Sequence, residues 1–173
     1  FISQAVKNYW VNYLSVVDGR QNSVVYYGYG FSDIDINKKN CLDFNKLKFG
    51  FLGRFVDQKN LENLIRGFNL FHKDHLNSSL ILQGRGILLN ELQNLAATFP
   101  HSPIEFREFS FDTTKFFHDI DVLCLPSIHE GFGMVLFEAI DHNKLIIGSN
   151  RGAIPEVLGL DYPLLCDVDV ESI

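Results

Sequence analysis

From Leu47 onward the chain alternates two textures. Short, continuously apolar runs give way to segments whose apolar residues recur every three and four positions. A run apolar on both alternating faces is a strand buried on both sides, and the longer period is a helix with one apolar stripe. Strand and helix in regular alternation predict a parallel sheet with helices on both faces, a Rossmann-like α/β fold. Such sheets bind their ligands at the carboxyl ends of the strands, so the loops that follow the apolar runs are where chemistry is to be sought.

The runs are placed as follows. Leu47 to Leu52 reads as a buried strand, followed by a helix whose stripe is Leu61, Leu64, Ile65, Phe68 and Phe71. Leu80 to Leu82 is the next strand, and Leu88, Leu89, Leu92, Leu95, Ala96 and Phe99 form the next stripe. Pro100 and Pro103 break the chain before a strand at Ile104 to Phe106. Asp112 reads as the N-cap of a short helix from Thr113 to His118. Val122 to Leu125 is a strand, Met134 to Ile140 a helix, Leu145 to Ile147 a strand, and Leu164 to Cys166 a last short one. Pro155 sits where a first helical turn tolerates proline. Ahead of this unit, Ser3 to Tyr13 reads as a helix, Ser23 to Tyr27 as a strand and Gly28 to Gly30 as a turn, and the polar stretch Ser32 to Asn45 reads as a linker. The expected organisation is therefore residues 1–45 as the tail of a preceding domain plus linker, and 46–173 as the main domain.

Composition narrows the function. The 173 residues carry 15 basic and 21 acidic side chains, a formal charge of −6. That charge argues against a nucleic-acid partner or an anionic membrane held by the overall field. A phosphate-bearing ligand would have to be held by local cations and backbone amides. No apolar run approaches the ~20 residues of a bilayer span. The chain opens on Phe1, without Met or a basic leader, which reads as a cut piece. Cys41, Cys124 and Cys166 are widely spaced and read as reduced thiols of a cytoplasmic protein.

Two loops carry the chemistry. The stretch from Pro126 to Glu138, Pro-Ser-Ile-His-Glu-Gly-Phe-Gly-Met-Val-Leu-Phe-Glu, follows a buried strand and opens a helix. Its glycines, Gly131 and Gly133, let a backbone approach a ligand closely, and the amides from Phe132 to Met134 suit an anion. Glu130 lies before the helix and Glu138 inside it, two acceptors able to hold hydroxyls on either side of a bound diphosphate. The other loop runs from Phe51 to Asn60 and also links a strand to a helix. Arg54, after Gly53, can grip phosphate oxygens in a fork, and Lys59 supplies a point charge.

Taken together these loops resemble the retaining glycosyltransferases of group 1, or family 4, which have the two-domain GT-B fold. Gly53-Arg54 with Lys59, Gly84-Arg85-Gly86, Pro126 to Glu138, and Ala153-Ile154-Pro155-Glu156 match the family's donor-domain motifs in order. The resemblance covers roughly residues 46 to 170, and Glu-Gly-Phe-Gly with its downstream Glu is its most specific element. It implies that the chain is the C-terminal, donor-binding half, preceded by the end of the acceptor-side domain and lacking the final helices. It implies a nucleotide-diphosphate sugar as donor, no cofactor and no metal. Arg54 and Lys59 would neutralise the diphosphate with amides of Gly131, Phe132, Gly133 and Met134. Glu130 would contact the transferred sugar and Glu138 the ribose. The sugar would pass to an acceptor hydroxyl on a glycan, lipid-linked or small molecule with retention at the anomeric carbon, and the fragment alone would be inactive. Peripheral association with the inner face of a membrane, through the other half, is open. So are a sugar-nucleotide epimerase of the same fold and a non-catalytic nucleotide-sugar-binding subunit.

The sequence departs from the family pattern in two places. Asp141, Asn143 and Leu145 stand where the family has small residues and a Gly-x-Pro, and Glu108 stands where it has a glycine beside the base. Three other features are set aside. Asp33-Ile34-Asp35 matches a metal-binding motif of an unrelated transferase fold but lies in the linker. His72 and His75 read as a solvated helix face rather than metal ligands. His129 is a candidate for substrate contact beside Glu130.

Overall fold

The computed structural model describes residues 1–14, 23–30, 42–43 and 46–173. Cys41, the Asp33-Ile34-Asp35 motif and all of the expected linker but residues 42 and 43 lie outside these.

Six parallel strands form one sheet in the order β3-β2-β1-β4-β5-β6. They are β1 (Lys48–Arg54), β2 (Ser79–Arg85), β3 (Ile104–Glu108), β4 (Val122–Leu125), β5 (Leu145–Ser149) and β6 (Leu165–Cys166). The helices are α1 (Gln4–Leu14), α2 (Leu61–Asp74), α3 (Leu89–Ala97), α4 (Thr114–Asp119), α5 (Met134–Asp141) and α6 (Ile154–Leu158). A 3-10 turn, Asp57–Lys59, precedes α2. Each element from β1 onward lies within a few residues of its sequence-based expectation, because the apolar periodicity is set by burial. Phe51, Leu80, Leu82, Leu123 and Leu125 are fully buried in the sheet. Leu61, Leu64, Ile65 and Phe68 of α2 are buried on the stripe the spacing predicts.

The order of the strands matters for function. The chain winds outward from β1 through β2 to β3, then returns to place β4 on the other side of β1. Phe49 and Gly50 of β1 lie in register with Val122 and Leu123 of β4. At this switch point the loops leaving β1 and β4 diverge to opposite faces and leave a crevice at the carboxyl ends of the strands. The loops at that crevice are the two singled out from the sequence.

Three expectations need correction. Ser23 to Tyr27 forms no strand. Its main-chain bonds among the described residues run only to Phe1, from Val25 N–H and to the Ser23 carbonyl, and Val25 is largely exposed. The β-branched and aromatic composition fitted a strand, but among the described residues no ladder partner completes one. The short helix starts at Thr114, and the Asp112 carboxylate accepts from the Thr114 N–H at 3.0 Å, so it serves the helix end from one position further out. His72 is not on a solvated face. It is buried, with its Nδ1 2.9 Å from the Ser78 hydroxyl, while His75 stacks on Phe71.

Candidate functional site

The two motif loops are bonded to one another across the switch point. Ile128 N–H donates to the Gln58 carbonyl at 2.9 Å, and the Gln58 amide donates to the His129 carbonyl at 2.6 Å. These bonds bring Lys59, at the end of the 3-10 turn, against Glu130. The ammonium and the carboxylate meet at 2.5 Å, each only 12% exposed. The Ser127 hydroxyl donates to the same carboxylate oxygen at 3.2 Å. Ser127 is itself buried, and its carbonyl accepts from Ser149 Oγ. A charge pair this shielded from water is held by its geometry, and removing either partner strands the other.

Glu130 leads into the glycines. Gly133 has φ 81°, in the left-handed region, which lets the chain turn into α5 immediately after the loop. The first amides of a helix lack partners within it, so the start of α5 at Met134 and Val135 presents donors and the positive end of the dipole to the crevice. Phe132, between the two glycines, is buried rather than displayed. Its ring is 5.2 Å from Phe137, 5.4 Å from Tyr27 and 6.1 Å from Tyr26. Its part in the loop is therefore to anchor the backbone that leads into α5.

Glu138 faces a different space. A cavity of about 310 Å³ is lined by Gly53, Arg54, Arg85, Phe109, Thr113 and Glu138, among others. The Thr113 hydroxyl donates to the Glu138 carboxylate at 3.0 Å. Arg54 and Arg85 end neighbouring strands in register, and both line this cavity. Arg85 also lies over the Phe109 ring, 4.7 Å from its centre. Glycine is required beneath them. A Cβ at Gly84 would lie 1.8 Å from the Gly53 carbonyl oxygen, and one at Gly86 would lie 2.2 Å from that of Phe55. Gly84-Arg85-Gly86 thus lets the ends of β1 and β2 close together and sets the two arginines as neighbours.

On the other side of the loop, Glu130, Gly131, Gln58, His129 and Gly152 share a pocket of about 390 Å³ with Tyr9 and Trp10 of α1. Hence the structure pairs Lys59 with Glu130, and sets Arg54 and Glu138 along a separate cavity. Sequence reasoning did not assign Phe109, Thr113, Arg85 or Gln58 to the site. Arg85 carried a signal, its place at a strand's carboxyl end between two glycines, and Phe109 a weaker one, next to Glu108 in the loop expected beside the base. The remaining thiols are chemically quiet: burial pushes Cys124 up to about 12 and Cys166 to about 11.

With this geometry in view, the family model for "Glycosyl transferases group 1" matches residues 33–170. The chain belongs to the group 1 glycosyl transferases. Among the family's curated members, an O-antigen biosynthesis glycosyltransferase of Escherichia coli, WclY, is 28% identical over 169 residues, covering 93% of this chain and 46% of its own length. A capsular polysaccharide biosynthesis glycosyltransferase of Staphylococcus aureus, CapM, is 27% identical over 155 residues, covering 80% of this chain and 40% of its own. The chain thus spans less than half the length of these relatives. Among solved structures, the S. aureus protein TarM, crystallised with UDP, superposes with a TM-score of 0.71 at 14% identity over 84% of this chain and 29% of that one. The pneumococcal O-GlcNAc transferase GtfA, crystallised with UDP and GlcNAc, gives 0.69 at 18% identity over 88% and 29%. The shared architecture is the Rossmann-like parallel sheet of GT-B glycosyltransferases. Among the described residues no helix is long and apolar enough to cross a membrane.

Proposed function

We propose that this domain holds the nucleotide-diphosphate-sugar donor of a retaining hexosyltransferase, the acceptor being bound by another part of the protein. One observation carries the reading. Two carboxylates, Glu130 paired with Lys59 and Glu138 sharing a cavity with Arg54 and Arg85, flank a glycine loop and helix start at the switch point of a parallel sheet. A diphosphate lying over the start of α5 would meet the amides of Gly131 to Met134, with Arg54 on one side and Lys59 on the other. Two cationic side chains lining one cavity favour an anion there, which points to phosphate beside Arg54 and Arg85. Glu138 would take the ribose hydroxyls, and the exposed face of Phe109 would border the base.

The Lys59–Glu130 pair gives the site its logic. A diphosphate recruits Lys59 and frees the Glu130 carboxylate to accept hydroxyls of the transferred sugar. As the bond to the sugar breaks, negative charge builds on the departing diphosphate. Arg54, Lys59 and the helix amides stabilise it in place, without a metal in this reading. Neither carboxylate acts as a covalent nucleophile. The retained configuration, the family 4 assignment and a cytoplasmic setting belong to the same proposal. The use of UDP by the structurally similar TarM and GtfA supports trying uridine first.

Calorimetric titration of the chain with UDP, GDP and ADP tests the donor site. One of the three should bind, and Arg54→Ala should weaken it about 10–100-fold, the value of a charge-assisted phosphate contact. Glu138→Ala should weaken the nucleotide but not inorganic pyrophosphate. A folded chain that binds none of them overturns the proposal. With the full-length protein, a glycoside product distinguishes transfer from the free epimer of an isomerase.

A further inference from the structure

Helix α1 lies outside the sheet, yet its start is held by the main domain. Ser3, fully buried, accepts from the Val6 N–H through its hydroxyl at 3.0 Å, the bond of an N-cap. The two preceding amides are taken by a residue some 150 positions away. Gln4 N–H donates to Glu156 Oε2 at 2.9 Å and Ala5 N–H to Glu156 Oε1 at 2.7 Å, so one carboxylate spans both. The Tyr26 hydroxyl donates to Oε2 at 3.3 Å. Three first-turn donors of α1 are thereby satisfied, two of them by α6.

Glu156 is also tied to the sugar-side loop. It sits on α6, which begins at Ile154. The residue before that helix, Ala153, donates its N–H to the Glu130 carbonyl at 2.9 Å. On the other side, α1 covers the same loop. A Cβ at Gly131 would stand 3.6 Å from both Ile2 and Val6, and Tyr9 and Trp10 wall the pocket onto which Glu130 opens.

We infer that Glu156 is a positioning residue that pins α1 across the Gly131 loop and so fixes the wall of the pocket in front of Glu130. The inference rests on the donor-site reading above for the identity of that pocket. Its occupant would be the transferred sugar, so the pin governs the sugar's share of donor affinity and leaves the diphosphate's share alone.

Trp10 is the only tryptophan and lies on α1, which makes its fluorescence a direct reporter of docking. Glu156→Ala should shift α1 toward release about 5-fold, as loss of a helix cap does, and raise acrylamide quenching of Trp10 accordingly. Glu156→Gln, which keeps one acceptor, should fall between. Ser3→Ala should act in the same direction from the other end of the contact. Arg54→Ala should leave quenching unchanged. In titrations, the ratio of affinities for UDP-glucose and UDP, or for GDP-mannose and GDP, should fall in Glu156→Ala while binding of the bare nucleotide holds. Unchanged quenching in both Glu156→Ala and Ser3→Ala overturns the pin. Raised quenching with an unchanged ratio overturns its link to the sugar pocket. A wild-type chain that binds no nucleotide overturns the donor-site reading and the link together, and quenching alone then decides the pin.

Discussion

At the scale of single residues, the Lys59–Glu130 pair is the feature whose energetics differ most from its sequence appearance. A lysine and a glutamate in two loops would ordinarily be solvated and worth little to stability. Here each is mostly shielded, and Ser127 fixes the carboxylate from behind. Lys59→Met or Glu130→Gln alone should destabilise the chain by about 1–3 kcal/mol, because each leaves an uncompensated partner. The double variant should cost less than the sum, a coupling of about 1 kcal/mol or more that a double-mutant cycle in urea would measure. Additive costs would mean that the pair is solvated in solution. The thiols give a second prediction at this scale. A thiolate is the reactive form, and burial raises Cys124 to about 12 and Cys166 to about 11. In a Cys41→Ser background the folded chain should therefore react slowly with a thiol reagent at pH 8, with Cys166 the faster of the two. Reactivity should climb as pH rises toward 11, and full labelling should need denaturant.

At the scale of elements, the carboxyl ends of β1 and β2 depend on one glycine. Gly84→Ala would drive a methyl group into the Gly53 carbonyl, and backbone cannot yield as a side chain tip can. The expected cost is about 2–3 kcal/mol, a drop of roughly 4–12 °C in melting temperature for a chain of this size. Nucleotide affinity should fall as well, since the same displacement separates Arg54 from Arg85; a stable variant with wild-type affinity would show that the two ends need not touch. This contact also marks where sequence reading stops. The strands and helices were legible because burial imposes a period on the chain, and Phe51, Leu80 and Leu123 fall where that period requires. The loop chemistry was legible through the resemblance carried by Pro126 to Glu138. Local composition misled at Ser23 to Tyr27, where Val and Tyr are strand formers without a strand to join. It misled again at His72, which is buried against Phe68 with its Nδ1 at the Ser78 hydroxyl. Glu156 was visible only as the end of the Ala153 to Glu156 motif, and Phe109 only as the neighbour of Glu108, with nothing to say what either would touch. Their partners, Arg85 and the start of α1, are chosen by the tertiary fold.

At the scale of the whole molecule, the question is which residues build the folding unit. The buried apolar cluster runs from Phe49 to Ile154, and every strand of the sheet lies between Lys48 and Cys166. Residues 1–14 and 23–30 contribute no strand and no member of that cluster. Their hold on the domain includes the Glu156 cap, the cover over Gly131, the tyrosines against Phe132, and Tyr29 stacked on Phe137. A chain of residues 46–173 should therefore fold cooperatively by itself. Its penalty is local, because Phe132 would lose Tyr26 and Tyr27 and turn a buried ring toward water. Exposing a large aromatic costs about 1–3 kcal/mol, so the melting temperature should fall by several degrees with a single transition kept. The shortened chain should also associate through the bared ring, and Phe132→Ser should restore a monomer in ultracentrifugation. Its nucleotide affinity should stay near that of the longer chain, because Arg54, Lys59, Glu138 and the start of α5 all lie within residues 46–173. A shortened chain that fails to fold would place residues 1–30 inside the cooperative unit. One that folds but binds no diphosphate, when the longer chain does, would make the cover of α1 part of the phosphate site as well as of the sugar pocket.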